Sequence, residues 1–390
     1  MSAFEIARRM RPLLPILVVV LVHLVAVSAA RAAQTDAPAA ASTAVAVEVV
    51  ARGLEHPWGL AFLPDGRMLV TERPGRVRIV ARDGKVSRPL AGVPTVAAVG
   101  QGGLLDIALA PDFARSRLVY MTYAEPRDGR TNGTSVARAR LVGTTGEERL
   151  DDLEVIFRQQ PSHRGGLHFG SRLAFAPDGK LFVTVGERFE MRFAQDLGRH
   201  WGKVLRLDAE GNAPADNPFV GKADVRPEIW SYGHRNPQAA AINPETGTLW
   251  VVEHGPRGGD EVNVIERGAN YGWPVIGYGI DYSGARIHAS THKEGMKQPI
   301  YYWVPSIAPS GMAFYTGSLF PAWRGNLLVG ALAGQALHRL VLKNTQVVAE
   351  EVLLKKSHGR IRDVRQGPDG AIWLLTDEDD GRLLRVSPNN

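Results

Sequence analysis

The chain has no cysteine in its 390 residues. That absence excludes disulfide scaffolds, thiolate zinc sites, iron–sulfur clusters and cysteine nucleophiles together. Any metal must therefore be held by oxygen or imidazole. Runs of basic residues are also missing after the first 32 positions. Of the formal charge of +6, Arg8, Arg9, Arg11 and Arg31 against Glu5 account for +3, and the rest is scattered. A surface that tracks phosphates needs clustered Lys and Arg, often interleaved with exposed aromatics, so no nucleic-acid partner is expected. With 42 Gly and 25 Pro the chain is neither collagen-like nor of low complexity.

No apolar run is long enough for a membrane span. The stretch Leu13 to Val27 falls short of the ~20 residues that cross a bilayer. It follows a basic segment and precedes Ala30-Arg31-Ala32, a small-residue cleavage site, so residues 1–32 read as a secretory signal peptide. The pair Arg8-Arg9 leaves general and twin-arginine export both open. A periplasmic or secreted protein without stable membrane insertion is expected. Residues 33–44, rich in Ala, Pro and Thr, read as a flexible tether with nothing to bury.

What is present from residue 45 onward is a repeat. Six segments align: GLAFLPDGRMLVTER (59–73), DIALAPDFARSRLVYMTYAE (106–125), SRLAFAPDGKLFVTVGER (171–188), QAAAINPETGTLWVVEHG (238–255), GMAFYTGSLFPAWRGNLLVGAL (311–332) and DVRQGPDGAIWLLTDE (363–378). Each has apolar, β-branched or aromatic residues on both sides of a turn where Pro presets φ and Asp or Gly accepts the turn geometry, which is a β-hairpin. The turns begin at Pro64, Pro111, Pro177, Pro244, Thr316 and Pro368, spaced by 47, 66, 67, 72 and 52 residues. Segments between them, such as VRIVARDG (77–84) and GKVLRLDAEG (202–211), supply further strands. Six copies of about four strands predict an all-β, six-bladed β-propeller over residues 45–390, since radial repetition spares so long a β-chain its bare edges. A strand in 46–52 should close the ring on GRLLRV (381–386). Two β-domains or a sandwich would not require six aligned copies.

Counting back from each turn locates polar residues in a common register. Gln101 lies 10 before Pro111, His168 lies 9 before Pro177, and Arg235 and Asn236 lie 9 and 8 before Pro244. Ser306 lies 10 before Thr316, and Arg360 and Arg362 lie 8 and 6 before Pro368. Taken singly, an Arg is usually a solvated charge and a His a structural one. Their shared register places them together at one mouth of the channel. Three arginines suit a ligand with several carboxylates. His168 is the titratable base of the set, and Gln101 and Asn236 can orient a hydroxylated substrate. No acidic triad for an axial metal occurs at these positions. The Gly255-Pro256 step offers uncrowded carbonyls of the kind that ligate Ca²⁺, while Asp260 and Glu261 either bind a cation or tie down their loop; the lack of EF-hand spacing favours the second.

The strings GQGGLLDIALAPDF, HFGSRL, SYGHRNPQ, EHGPRGGDEVN with NYGWP, and RIRDV together resemble the soluble quinoprotein sugar dehydrogenases, including the aldose sugar dehydrogenases. The resemblance runs from about residue 50 to 388. It implies a six-bladed propeller carrying pyrroloquinoline quinone (PQQ) and Ca²⁺ that oxidises aldoses to lactones and passes electrons to an external acceptor. Carried over, it implies His168 as the general base, Gln101 orienting the sugar, and Arg235 with Asn236 polarising the quinone carbonyl. Arg360 and Arg362 would hold PQQ carboxylates with Ser306 at the edge, and the carbonyls of Gly255 and Pro256 would ligate Ca²⁺. Two positions depart from the family pattern: a cofactor-binding Lys falls at Ala333, and the acid preceding the base is Leu167. The competing readings are a lactonase-like hydrolase, which would need axial carboxylates, and a non-catalytic propeller that binds partners on its rim.

Overall fold

The computed structural model describes residues 37–389; the expected signal peptide, residues 1–32, lies outside them. Six antiparallel sheets form a six-bladed β-propeller. The innermost strands are Pro57–Phe62, Leu104–Leu109, Leu173–Phe175, Pro237–Ile242, Pro309–Phe314 and Ile361–Gln366, each in contact with the innermost strands of the blades on either side. The six repeated hairpins supply the first two strands of the six blades.

Local chemistry accounts for the repeat. In the three Pro-Asp-Gly turns, Gly66, Gly179 and Gly370 sit at φ of 83°, 80° and 78°, a region that disfavours side chains. Each glycine N–H bonds back to the residue three before it. The Asp side chain accepts the N–H two residues on, at 3.0–3.1 Å, in all three. The second strands Met68–Glu72, Leu181–Val185, Leu249–Glu253, Leu327–Ala331 and Ile372–Thr376 are buried at every residue. Both faces of a blade pack against neighbours, so these strands are mostly apolar and do not alternate, with Thr71, Glu72, Thr184, Glu253 and Thr376 as buried polar exceptions.

Ring closure follows the expected pairing: Val45–Leu54 lies antiparallel to Gly381–Pro388, with Val47 opposite Val386 and Val49 opposite Leu384. Blade one departs from the four-strand expectation. Its sheet has three strands, and its outer edge is covered by the Val80–Val86 bridge and by Ser87 and Leu90 donating to Ile79 and Val77. The stretch read as a tether also has partners from residue 37 on. Ala39 bridges Glu350, Ala40 donates to the Glu350 carbonyl, and Thr43 bonds the Glu351 carboxylate and the indole of Trp323. These residues lie along the outermost strand of blade five, Gln346–Leu353.

The channel is blocked on its axis by buried ion pairs. Arg172 meets Asp106 and Asp363 at 3.0 Å each, and Arg365 meets the same two carboxylates at 3.0 and 2.9 Å. The axis thus carries two carboxylates, Asp106 and Asp363, inside the innermost strands and outside the register positions read from the turns. Both acids are consumed by arginines and by the backbone N–H groups of Leu173 and Leu60. Charges this deep persist only when paired and hydrogen-bonded.

Candidate active site at the channel mouth

Above the axial plug lies a cavity of about 520 Å³, lined among others by Trp58, Arg73, Gln101, Phe169, Arg360, Arg362 and Asp377. Gln101, Arg360 and Arg362 therefore share one chamber, as their common register implied. His168 adjoins it: its backbone N–H donates to Gln101 Oε1 at 2.8 Å, while the Gln101 N–H donates to the Gly166 carbonyl at 2.7 Å.

The backbone around His168 is unusual for a reason the packing supplies. His168 has φ 50°, and its carbonyl approaches Gly186 so closely that a Cβ there would lie 2.2 Å away. Only glycine admits that approach. Arg188 clamps the same loop, stacking on Phe169 at 3.7 Å and donating to the carbonyls of Leu167 and Gly165 at 3.0 and 2.8 Å. Strained backbone held by such over-determination is concentrated at functional sites.

The carboxylate that Leu167 fails to provide comes from elsewhere. His168 Nδ1 lies 2.6 Å from Glu187 Oε2, at the end of the second strand of blade three. Two other histidines that precede innermost strands are gripped in the same way: His234 Nδ1 by Glu253 at 2.8 Å and His56 Nδ1 by Asp377 at 2.9 Å. Their second nitrogens are occupied, by Ser231 and Asp379 respectively, each at 2.9 Å. His168 alone of the three leaves Nε2 without a hydrogen-bond partner among the described residues. With Nδ1–H donated to Glu187, the lone pair is on Nε2. Burial lowers the His168 pKa, Glu187 opposes this, and Arg235 and Arg188 add to the lowering; the net direction is down. The ring is therefore neutral at pH 7.

The acidic partners carry a register of their own in the sequence. Counting forward from the turns, Glu187, Glu253 and Asp377 lie 10, 9 and 9 residues on, in VGER, VVEH and LTDE. Asp377 bridges His56 to Arg362, whose Nη2 it meets at 2.5 Å. Burial opposes ionisation of Asp377, but Arg362 outweighs it and holds the carboxyl well below the usual range.

The remaining expected residues lie on the adjoining wall. Arg235 donates to the carbonyls of Gly255 at 2.7 Å and His254 at 3.2 Å and stands over Trp273 at 5.4 Å. Asn236 Oδ1 accepts from Gly170 N at 3.1 Å. Ser306 is turned away to Asp260, 2.7 Å off. That same carboxylate also accepts from the N–H groups of Gly255, Ile307 and Ala308. Asp260 is thus the tie-down of its loop. Ala333 sits nearby, its N–H on the Ile307 carbonyl.

Residues 54–385 match the Glucose / Sorbosone dehydrogenase family. The chain belongs to that family. It is 47% identical over 354 residues to the aldose sugar dehydrogenase YliI of Escherichia coli, covering 90% of this chain and 95% of the relative. It is 28% identical over 430 residues to quinoprotein glucose dehydrogenase B of Acinetobacter calcoaceticus, covering 88% of each. Among solved structures, the PQQ-bound form of the aldose sugar dehydrogenase from Streptomyces coelicolor superposes with a TM-score of 0.73 at 31% identity, covering 89% of this chain and all of that one. Among the described residues of this family member no helix is long and apolar enough to cross a membrane, and no group of three or more His, Asp or Glu is placed to hold a metal.

Proposed function

We propose that the protein oxidises aldoses to lactones, with PQQ bound in the mouth cavity and His168 as the general base. The observation that carries this reading is the unpartnered Nε2 of His168, braced through Nδ1 by Glu187, beside an arginine-lined cavity. The axial carboxylates a hydrolytic metal would need are already neutralised by Arg172 and Arg365.

The cavity suits a planar polycarboxylate. Arg360 and Arg362 stand on its wall with Trp58 and Phe169 as flat apolar surfaces, and Arg362 Nε is buried with no partner. An unsatisfied buried guanidinium N–H is costly, and a carboxylate would satisfy it. PQQ, when bound, supplies an ortho-quinone that accepts the hydride. His168 Nε2 takes the proton from the anomeric hydroxyl, and Glu187 stabilises the imidazolium that results. Gln101 spends its carbonyl on the His168 backbone, which leaves its NH₂ to orient the sugar. Arg235 and Asn236, on the adjoining wall, are the donors proposed to face the quinone carbonyl.

Ca²⁺ at Gly255 and Pro256 rests on the family resemblance. The cavity there is lined by Gly255 and Pro256 and also by Glu253 and Glu261, but Glu253 is engaged by His234 and the Arg235 N–H, the Gly255 carbonyl already accepts from Arg235, and calcium takes six to eight oxygens. Among the described residues no group of three or more His, Asp or Glu is placed to hold a metal, so the protein's own donors do not complete a calcium site. Together with the signal-like N-terminus, the reading extends to action outside the cytoplasm with an external electron acceptor.

The test is a paired titration. Purified protein should bind PQQ and then reduce a dye with aldoses. His168→Gln should keep PQQ and lose about two to four orders of magnitude in kcat, the usual worth of general-base catalysis. Full turnover in the variant would remove His168 from the role.

A further inference from the structure

Three arginines line the mouth cavity, and they are not equivalent. Arg362 is paired with Asp377, whereas Arg73 and Arg360 have no carboxylate within ion-pairing distance among the described residues. Arg73 follows directly on the second strand of blade one, Met68–Glu72, outside the register that located the other site residues. Its backbone is fixed at both ends: its N–H donates to the His56 carbonyl at 3.1 Å, and its carbonyl accepts from Leu104 at 3.0 Å. One guanidinium nitrogen, Nη1, donates to the Gly100 carbonyl. Another, Nε, is buried with no partner.

Resting on the PQQ reading above, we infer that Arg73 is an anchor for a cofactor carboxylate, on the blade-one side of the cavity and beside the blade that carries Arg360 and Arg362. The physical case is one of unmet demand. A buried guanidinium N–H with neither water nor acceptor is destabilising, so a position that keeps one is suited to receive an acceptor from a ligand. A ligand bearing several carboxylates needs more than one cation, and although Asp377 also feels the charge of Arg73, it is ion-paired to Arg362, so the chamber's arginines without an ion pair are Arg73 and Arg360. A fork of planar N–H donors also matches a carboxylate better than a point charge does.

The rival role is a brace. Through Gly100, Arg73 also touches the residue next to Gln101, so its loss could act by loosening the loop that orients the sugar. The two roles separate when PQQ affinity and aldose KM are measured on the same proteins. Arg73→Gln should weaken PQQ binding, followed by equilibrium titration of the cofactor's absorbance, by about ten- to a hundredfold, the loss of one charge-assisted hydrogen bond. The salt dependence of binding should become shallower, because one ionic contact is gone. Arg73→Lys, which keeps charge without the fork, should bind PQQ with intermediate affinity and stands in should Arg73→Gln fail to fold. Wild-type PQQ affinity in either folded variant, with a raised aldose KM, would make Arg73 a brace only and overturn the inference. A wild-type protein that takes up no PQQ would overturn the proposed function and this inference with it.

Discussion

Replacing Glu187 with Gln tests how the base is held. The substitution keeps the size of the side chain and an oxygen for His168 Nδ1–H, but removes the charge that favours imidazolium across a 2.6 Å contact. A hydrogen bond to a charged group is worth about 1.5–3 kcal/mol, so kcat should fall by roughly 10- to 150-fold. The pH profile carries the sign. With Leu167 in place of an adjacent acid, the reference for the acid limb is the ordinary histidine value of about 6.5. In the folded protein, burial lowers the His168 pKa and Glu187 only partly offsets it. The base is active when neutral, so the wild-type limb should lie below about 6.5. Glu187→Gln should move it lower still while the plateau drops. The assay is kcat/KM for one aldose across pH 4–8 with PQQ saturating. A limb that rises in the variant, or a plateau that is unchanged, would refute the pairing as the determinant of base strength.

Three further outcomes are expected. Calcium should not raise the melting temperature of the PQQ-free protein, since among the described residues no group of three or more His, Asp or Glu is placed to hold a metal, but should do so once PQQ is present; differential scanning fluorimetry of the four combinations reads this. Arg172→Met should cost about 3–5 kcal/mol in urea unfolding, because it leaves the buried Asp106 and Asp363 to share Arg365 alone with one negative charge uncompensated, and adding Asp106→Asn should recover part of it. His254, pushed down to about 3 by burial while its Nε2–H holds the Pro309 carbonyl at 2.7 Å, must stay neutral to fold. The unfolded chain binds that proton below about 6.5, so stability should fall as pH drops from 6.5 toward 3. His254→Gln should flatten that fall in urea midpoints measured over the same range.

The fold was legible in the sequence because its signals are short-range. A Pro-Asp-Gly turn is made by four residues whatever surrounds them, and six such turns between apolar runs already imply six hairpins; the closing strand was readable because the ring would otherwise keep an open edge. The polar residues that precede the innermost strands were readable for the same reason, being fixed by their distance from a turn. The three-stranded sheet of blade one was less so, since its missing strand is replaced by irregular backbone at Ser87 and Leu90 that no pattern announces. Residues 37–43 carried no apolar run, and what holds them is hydrogen bonding to Glu350 and Glu351, some 300 positions away.

Sequence by itself determined the propeller, the register of Gln101, His168, Arg235, Asn236, Arg360 and Arg362, and a chemistry without thiols. Only the tertiary structure decided which acid serves which base. Asp377 reaches His56 across 321 residues because the ring brings its first and last blades side by side. Leu167 points to no carboxylate in the chain's own order, yet Glu187 meets His168 because the hairpin folds its second strand back on the first. The same closure turned Ser306 to Asp260 and set Arg172 between Asp106 and Asp363. Partnership, burial and the pKa values they set belong to convergence in space, and convergence exists only once every blade has packed against the next.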